Sequence, residues 1–340
     1  MSIKVACVGA GYFSQFHYDA WSRIDGVEVV GACDLDLARA EATGAPAFDD
    51  LEQMLSVTAP NLLDIILPPP AHAKMIRAAL AAGIKWIICQ KPFCLDLDEA
   101  RTITEEARAA GAHLVVHENF RFQPWYRAMK AALDTGSIGE VQNATFRLRP
   151  GDGQGPDAYL DRQPYFQTMP RFLIHETGVH WVDTFRYLFG PITDVYADLR
   201  TLNPAIAGED AGFVIFDHAS GVRALFDGNR HLDHVAKNLR CTMGEAWIEG
   251  TEGVLTLYGD GMVTQRPFGR SDPDTIHEEP GTPIGFGGDC VHALQAHVIA
   301  AMKGAPLENE ASDYLTVLAI KDAIYASAEA GQKRAVPEVH

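Results

Sequence analysis

Basic residues are scarce in this chain. Against 45 Asp and Glu it carries 28 Lys and Arg, a formal charge of -17 over 340 residues. That balance argues against nucleic acid or an anionic membrane as a partner, although a local arginine cluster can still receive an anionic substrate. Long hydrophobic runs are also missing, and nothing approaches the roughly eighteen apolar residues that a membrane span needs. Cysteine is limited to Cys7, Cys33, Cys89, Cys94, Cys241 and Cys290, with no C-x-x-C pair. Cys7, Cys33 and Cys89 fall in expected buried strands, so they read as small core residues of a reducing cytosol, not as disulfides or zinc ligands. Met1 to Val8 holds one lysine and runs straight into the first strand, so no signal peptide is expected. A cytoplasmic location is therefore expected. No internal repeat or low-complexity tract is present.

What the chain does have is a short apolar strand running into two glycines one residue apart. Residues 5–14 read V-A-C-V-G-A-G-Y-F-S, and Asp34 follows at the end of a second apolar run, 27–33. This is the layout of a dinucleotide-binding βαβ unit. Gly9 would let the backbone turn tightly off the strand. Gly11 would keep side-chain bulk away from a pyrophosphate met by the N–H groups of the next helix. Ser14 stands where a third glycine is usual, and it is small enough to keep helix and strand close. The Asp34 carboxylate is placed to accept from the adenosine ribose hydroxyls and to repel a 2′-phosphate, which favours NAD over NADP. A tight turn between strand and helix is the plain structural alternative.

The first third alternates short apolar runs at 3–8, 28–33, 63–67, 86–89 and 114–117 with helical patterns at 12–23, 35–43, 51–56, 71–82 and 97–110. Strands separated by such helices imply right-handed crossovers and a parallel sheet, an α/β unit. The proline run 68–70 is expected to be an extended loop at a strand's carboxyl end, where open α/β sheets bind ligands. After about residue 120 the pattern changes. A helix at 124–135 precedes a strand at 141–149, an irregular loop at 150–170 and a helix at 172–189. Strands are expected at 195–199, 211–216, 223–229, 238–243, 246–249 and 254–258, with hairpin turns at Gly221, Gly244-Glu245 and 251–253. A long loop at 259–288 and helices at 290–301 and 312–330 complete an α+β domain with a largely antiparallel open sheet. The expected division is 1–120 for nucleotide and 121–340 for substrate and oligomerisation.

Five motifs converge: G-A-G-Y-F at 9–13, L-P-P-P-A-H at 67–72, Q-K-P at 90–92, E-N-F-R-F at 118–122, and H-E-T-G-V-H-W-V-D at 175–183. Together they resemble the glucose–fructose oxidoreductase, inositol dehydrogenase and MocA family over nearly the whole chain. The resemblance implies a Rossmann domain, a C-terminal domain whose open sheet forms the subunit interface, and hydride transfer between a nicotinamide cofactor and a sugar or polyol. It places cofactor contacts on Gly9, Gly11, Tyr12, Phe13, Asp34, Leu67, Pro68, Pro69, His72, Gln90, Lys91 and Asn119. The family's glutamate-lysine-proline signature falls on Gln90, Lys91 and Pro92, with glutamine replacing the acid, and it implies a cis Pro92. Its aspartate-glycine-histidine pattern falls on Glu176, Gly178 and His180, with glutamate replacing aspartate.

Residue chemistry supports the same centre. Oxidising a carbinol needs a hydride acceptor over one face of the carbon and a base within reach of the hydroxyl. His180 is a candidate base, or else a buttress of its helix, on one helical face with Glu176 a turn earlier, which could favour the protonated imidazole, bind a substrate hydroxyl or make an ordinary helix salt bridge. Lys91 could donate to the reacting oxygen and stabilise alkoxide character, or hold the cofactor. Arg121, Arg149 and Arg171 could fork onto sugar hydroxyls or a carboxylate, or make structural ion pairs. Tyr165, Phe166 and Trp181 suit either packing or an apolar wall for a substrate. The histidine pairs 175/180 and 113/117 have no third ligand at a recognisable spacing, so no metal is expected.

These features point to an NAD-dependent dehydrogenase of a small sugar, sugar acid or polyol. Within the family, the P-R-F-L-I-H-E-T-G-V-H run at 170–180 resembles a subgroup acting on pentose-like compounds such as apiose or apionate. An isomerase or glycoside-cleaving enzyme using NAD transiently, and a non-catalytic dinucleotide sensor, are the alternatives. Presence of both Lys91 and His180 weighs against the sensor. An uncovered apolar sheet face would be buried against another copy, as a homodimer or homotetramer.

Overall fold

Residues 2–279 and 284–339 are described by the structure, a computed structural model. The chain divides into two compact units, one of residues 1–119 with 291–318, the other of 120–290 with 319–340. A single division at 120/121 would assign 291–318 to the second unit. These residues instead belong with the first because buried polar groups hold them there. Asn309 Nδ2 donates to the Glu118 carbonyl at 2.6 Å, Tyr314 donates to the Glu118 carboxylate at 3.2 Å, and Val116 N donates to the Asn309 carbonyl at 2.9 Å.

In the first unit six parallel strands, β1 (Ile3–Val8), β2 (Val27–Cys33), β3 (Ala47–Phe48), β4 (Leu62–Ile65), β5 (Trp86–Gln90) and β6 (His113–His117), lie in the order β3-β2-β1-β4-β5-β6. Helices α1 (Ser14–Ser22), α2 (Leu37–Ala42), α3 (Leu51–Thr58), α4 (Pro69–Ala81) and α5 (Leu97–Ala109) connect them. Val5, Ala6, Cys7, Leu62, Leu63, Ile87, Ile88 and Cys89 are all fully buried, as strands covered on both faces require. The strand order reverses between β1 and β4, which opens a crevice at their carboxyl ends.

The proline run departs from expectation. It is not an extended loop: Pro68 is the extended N-cap and Pro69 already begins α4. A proline at the first helical position loses no hydrogen bond and arrives with helical φ, so the prolines start the helix instead of delaying it.

The second unit holds a sheet of nine strands in the order β14-β13-β12-β11-β7-β10-β9-β8-β15. In chain order they are β7 (Val141–Leu148), β8 (Ile192–Arg200), β9 (Ala211–His218), β10 (Arg223–Asn229), β11 (Gly244–Gly250), β12 (Gly253–Leu257), β13 (Val263–Pro267), β14 (Asp274–His277) and β15 (Arg334–Ala335). All pairings are antiparallel except β7 with β10. Helix α6 (Pro124–Asp134) precedes the sheet, and α7 (Val179–Phe189) lies on its inner face. There Trp181 packs against Phe146 and Phe226, and Phe185 against Phe216. Helices α8 (Cys290–Met302) and α9 (Ala311–Ala330) follow β14 in the chain and precede β15. No helix among the described residues is long and apolar enough to cross a membrane.

Three further expectations are corrected here. Residues 238–243 form turns, not a strand, because the Asn238 side chain and carbonyl take the N–H groups of Arg240 and Cys241. Gly244 and Glu245 begin β11 and are not a hairpin turn. An added Cβ at Gly244 would lie 1.9 Å from the Arg147 carbonyl oxygen, so the glycine serves close strand approach. The supposed loop 259–288 contains β13 and β14, whose mixed polar residues carry no alternating apolar signal and whose order comes from backbone pairing at the sheet edge. Residues 280–283 of that stretch lie outside the described residues.

Candidate active site

Gly9 sits at φ 106, and an added Cβ there would lie 2.3 Å from the Ile66 carbonyl oxygen. The glycine is demanded by the neighbouring strand end. Gly11 is different, since apart from its chain neighbours no atom of the described residues lies within 4 Å of its would-be Cβ. Nothing in the protein excludes a side chain at Gly11, so the open space is what a pyrophosphate cradle would need. Ser14 closes the loop, donating from Oγ and N to the Gly11 carbonyl at 2.7 and 3.1 Å. Asp34 is clamped at the tip of β2, where Oδ2 accepts from Ala10 N at 2.8 Å and Oδ1 from Asp36 N at 3.0 Å. The acid therefore stands beside the glycine loop with its orientation set by backbone. Tyr12 is 40% exposed on that loop, with its ring edge-on to Phe16, while Phe13 leans on Phe16 and His17. These residues fit a dinucleotide.

Next to this loop, Leu67 and Pro68 lead into α4 from the carboxyl end of β4, and Pro69 opens the helix. His72 is fully buried. Its Nε2 donates to the Leu67 carbonyl at 2.7 Å, and its Nδ1 accepts from Cys94 N at 3.2 Å. Burial pushes its pKa down to about 4, against the pull of the Leu67 carbonyl. His72 is a neutral pin between the proline segment and the turn after Lys91. Lys91 and Pro92 are joined by a cis peptide bond. Gln90 is buried at the end of β5 and accepts from Lys91 N at 2.8 Å, while Asn119, also in the first unit, is 2% exposed.

The second unit carries the other candidates. The expected single helix over 172–189 is a π-helix at Leu173–Gly178 followed by α7. The wider turn changes what a spacing of four means, so Glu176 and His180 are placed by their contacts and not by regular α-helical phase. The Glu176 carboxylate accepts from Thr177 Oγ1 at 3.0 Å, and Thr177 in turn accepts from Arg230 at 2.7 Å. His180 is 5% exposed, with its ring stacked on Phe120 at 3.7 Å and 6°. Trp181 beside it is fully buried against the sheet.

Of the three arginines, Arg121 makes a buried two-bond fork to Asp183 at 2.8 and 2.5 Å. Arg149 donates to the Leu148 and Asp227 carbonyls and to the Asp227 carboxylate. Arg171 is half exposed, lying over the Tyr325 ring with Asp322 at 3.9 Å. Phe166 is buried with Tyr159 and Phe172, and Tyr165 is 55% exposed.

Several working residues escaped sequence reasoning. Glu209 accepts from Phe172 N, Ile174 N and the Tyr325 hydroxyl, and so anchors the start of the π-helix. Arg230, 2% exposed, binds Asp152, Tyr159 and Thr177. Burial would raise the Asp152 carboxyl, but the Arg230 and Arg162 guanidiniums outweigh it and hold the group below the ordinary carboxylate range. These are lone acids and arginines far apart in sequence, with no local pattern to mark them. Among the described residues no group of three or more His, Cys, Asp or Glu side chains is placed to hold a metal ion.

Comparison with known proteins places this geometry. Residues 3–118 match the model of an oxidoreductase family with an NAD-binding Rossmann fold, and residues 126–256 match that of the GFO/IDH/MocA C-terminal domain. A D-apiose dehydrogenase of Paraburkholderia graminis is 33% identical over 350 residues, spanning 97% of this chain and 88% of the relative. A second D-apiose dehydrogenase, from Rhizobium rhizogenes, is 27% identical across 97% and 96% of the two chains. An Agrobacterium radiobacter oxidoreductase, solved with NAD+, L-tartaric acid and magnesium, superposes with a TM-score of 0.89 at 26% identity over 99% of each chain.

The two glycines should separate cleanly on mutation. Gly9→Ala should destabilise the cofactor-free protein by about 2 kcal/mol or more, from the clash and the positive φ. Gly11→Ala should leave the cofactor-free melting temperature within about 2 °C yet weaken NAD binding roughly tenfold, read by titration calorimetry. A Gly11→Ala protein that binds NAD normally would remove the cradle from this loop.

His72 should shape the acid side of the stability profile. The unfolded chain takes up a proton near the ordinary histidine value of 6.5, while the folded protein refuses it until about 4. Stability is therefore lost as pH falls through that window, by about 1.4 kcal/mol per pH unit at most. Denaturant unfolding of His72→Gln between those limits should show a slope shallower by about one proton. Parallel slopes in the two proteins would mean that His72 is not held neutral.

Proposed function

The chain belongs to the glucose–fructose oxidoreductase, inositol dehydrogenase and MocA family and is an NAD-dependent oxidoreductase, and from that premise we propose that it dehydrogenates a small sugar, sugar acid or polyol, with a pentose-like sugar such as apiose first among them. The observation that carries the substrate is the identity to a D-apiose dehydrogenase along nearly the full chain. The presence of both Lys91 and His180 supports a catalyst over a sensor.

A nicotinamide held in this site would supply the hydride acceptor. The α1 N-terminus and Gly11 would hold its pyrophosphate, and Asp34 would accept from its adenosine ribose hydroxyls. His180 takes the proton from the substrate hydroxyl, its ring plane set by the Phe120 stack. Lys91 donates to the oxygen that gains alkoxide character. Glu176, oriented through Thr177 and Arg230, holds a neighbouring hydroxyl. Arg171, half exposed, is the arginine proposed for substrate contact, whereas Arg121 and Arg149 act by holding the segments they bridge. We also place the enzyme in a reducing, cytoplasmic compartment, which fits six cysteines that form no disulfide among the described residues.

A second copy of the chain is the proposed cover for the outer face of the nine-stranded sheet. Tyr196, Ile215, Leu225, Thr145, Trp247 and Thr256 stand directly opposite one another in a row across six strands, and Phe213 beside them is 42% exposed. A row of four large apolar or aromatic residues and two threonines on an open sheet suits an interface between copies.

Two measurements test these readings. Absorbance of NADH with D-apiose and a panel of aldoses, aldonates and polyols should show steady production. His180→Ala and Lys91→Ala should each lower turnover by about 10²-fold or more, with NAD binding nearly normal in His180→Ala. No NADH with any of the panel would overturn the substrate class, and near-normal turnover in His180→Ala would remove the base. Light scattering at micromolar concentration should return the mass of a dimer or tetramer, reduced by Trp247→Glu. The mass of one chain for the unaltered protein would refute the interface.

A further inference from the structure

A line of buried polar groups runs through the first unit to the backbone of Lys91. Asp64, in the middle of β4, and His17, on α1, are fully buried, and Gln90 is 9% exposed. His17 Nδ1 lies 2.8 Å from Asp64 Oδ2, which also accepts from Trp21 Nε1 at 2.8 Å. His17 Nε2 lies 3.1 Å from Gln90 Nε2, and Gln90 Oε1 accepts from Lys91 N at 2.8 Å. His117 on β6, at 4.2 Å between centroids, and Phe13 also pack against the ring, and Gln295 donates to the His17 carbonyl. Tyr18 and Cys7 lie close enough to Asp64 to feel its charge.

The direction of every bond in this line follows from one group that cannot be reversed. A backbone N–H only donates, so Lys91 N requires the oxygen of the Gln90 amide. The amide nitrogen then faces His17, and because it too only donates, Nε2 of His17 must be the bare acceptor. The ring proton is therefore on Nδ1, directed at the Asp64 carboxylate. Turning the Gln90 amide over would set two donors against each other at Lys91 N. An isolated buried carboxylate would be costly, and this arrangement gives it two donors while ending at the residue proposed to act on the reacting oxygen.

We propose that His17, acting through Gln90, is a positioning residue for Lys91, and that an amide at position 90 holds His17 as the neutral Nδ1–H tautomer. The line joins Lys91 to α1, the helix whose N-terminus receives the cofactor pyrophosphate, so the lysine and the cofactor share one rigid reference. The positioning role rests on the function proposed above for Lys91, but the tautomer does not. A glutamate at position 90 would keep the acceptor for Lys91 N and remove the donor to His17, which would then need a second proton to bridge two carboxylates.

The first test is a long-range 1H–15N spectrum of the ring nitrogens of His17 in the cofactor-free protein at neutral pH. The unaltered protein should show the proton on Nδ1 with bare Nε2, and Gln90→Glu should show both nitrogens protonated. A wild-type proton on Nε2, or an unchanged ring in Gln90→Glu, would overturn the assignment. The second test is kinetic. His17→Phe should lower kcat roughly tenfold with KM for NAD within about twofold, Gln90→Leu should lower kcat by a similar factor, and the double variant should lose no more than either single one. Additive losses, or a kcat unchanged in both, would overturn the positioning role. Should His17→Phe fail to fold, Gln90→Leu and the spectrum still decide. If no sugar yields NADH, the proposed function fails while the spectrum still decides the tautomer.

Discussion

Strands buried on both faces can carry polar chemistry only where they end, and the first unit is organised by that constraint. β1 and β4 come so close at their carboxyl ends that only glycine fits at position 9, against the Ile66 carbonyl. Everything assigned to the cofactor hangs from this approach. The glycine loop is turned by it, Ala10 N is delivered to the Asp34 carboxylate, and the proline segment after β4 starts α4 beside it. Where a polar group does lie inside the sheet, at Asp64, it is met by buried donors from α1. Sheet packing and cofactor chemistry are thus coupled through a few backbone contacts, which keeps the site rigid before any ligand binds.

The second unit solves a different problem. The irregular segment leading into its π-helix is held by buried charges. Glu209 takes two backbone N–H groups at the start of the π-helix, and Arg230 gathers Asp152, Tyr159 and Thr177. Arg121 and Asp183 close a fork between the 3-10 turn at Phe120–Phe122 and α7. Buried charges of this kind are a weak source of stability, because desolvation offsets most of their attraction. Their value is geometric. Removing one partner leaves the other unpaired in low dielectric, so alternative placements of Glu176 and His180 are strongly disfavoured.

The departures from the family pattern at positions 90 and 176 have different consequences. Glu176 keeps a carboxylate and is one methylene longer than aspartate, and its orientation is taken up by Thr177. Gln90 changes the chemistry more, since an amide donates where a carboxylate cannot, and the buried histidine beside it responds to that difference.

The nucleotide unit was legible in the sequence because its signals are local. Alternating strands and helices, the glycines at 9 and 11, and Asp34 at a strand end all act within a few residues of where they stand. The five motifs likewise brought out the family and its nicotinamide chemistry, and the helices near 290 and 312 stand where the sequence led us to expect them. Tertiary structure decided what depends on distant partners. It turned a proline run into a helix start, made Gly244 a point of strand contact and ordered β13 and β14 by backbone pairing. It also returned residues 291–318 to the first unit and buried His72 as a neutral pin. Glu209 and Arg230 acquire their roles only when partners far apart in sequence converge. A propensity or a turn is a property of neighbouring residues, whereas the desolvation that forces a buried charge to find its partner exists only once the chain has folded around it.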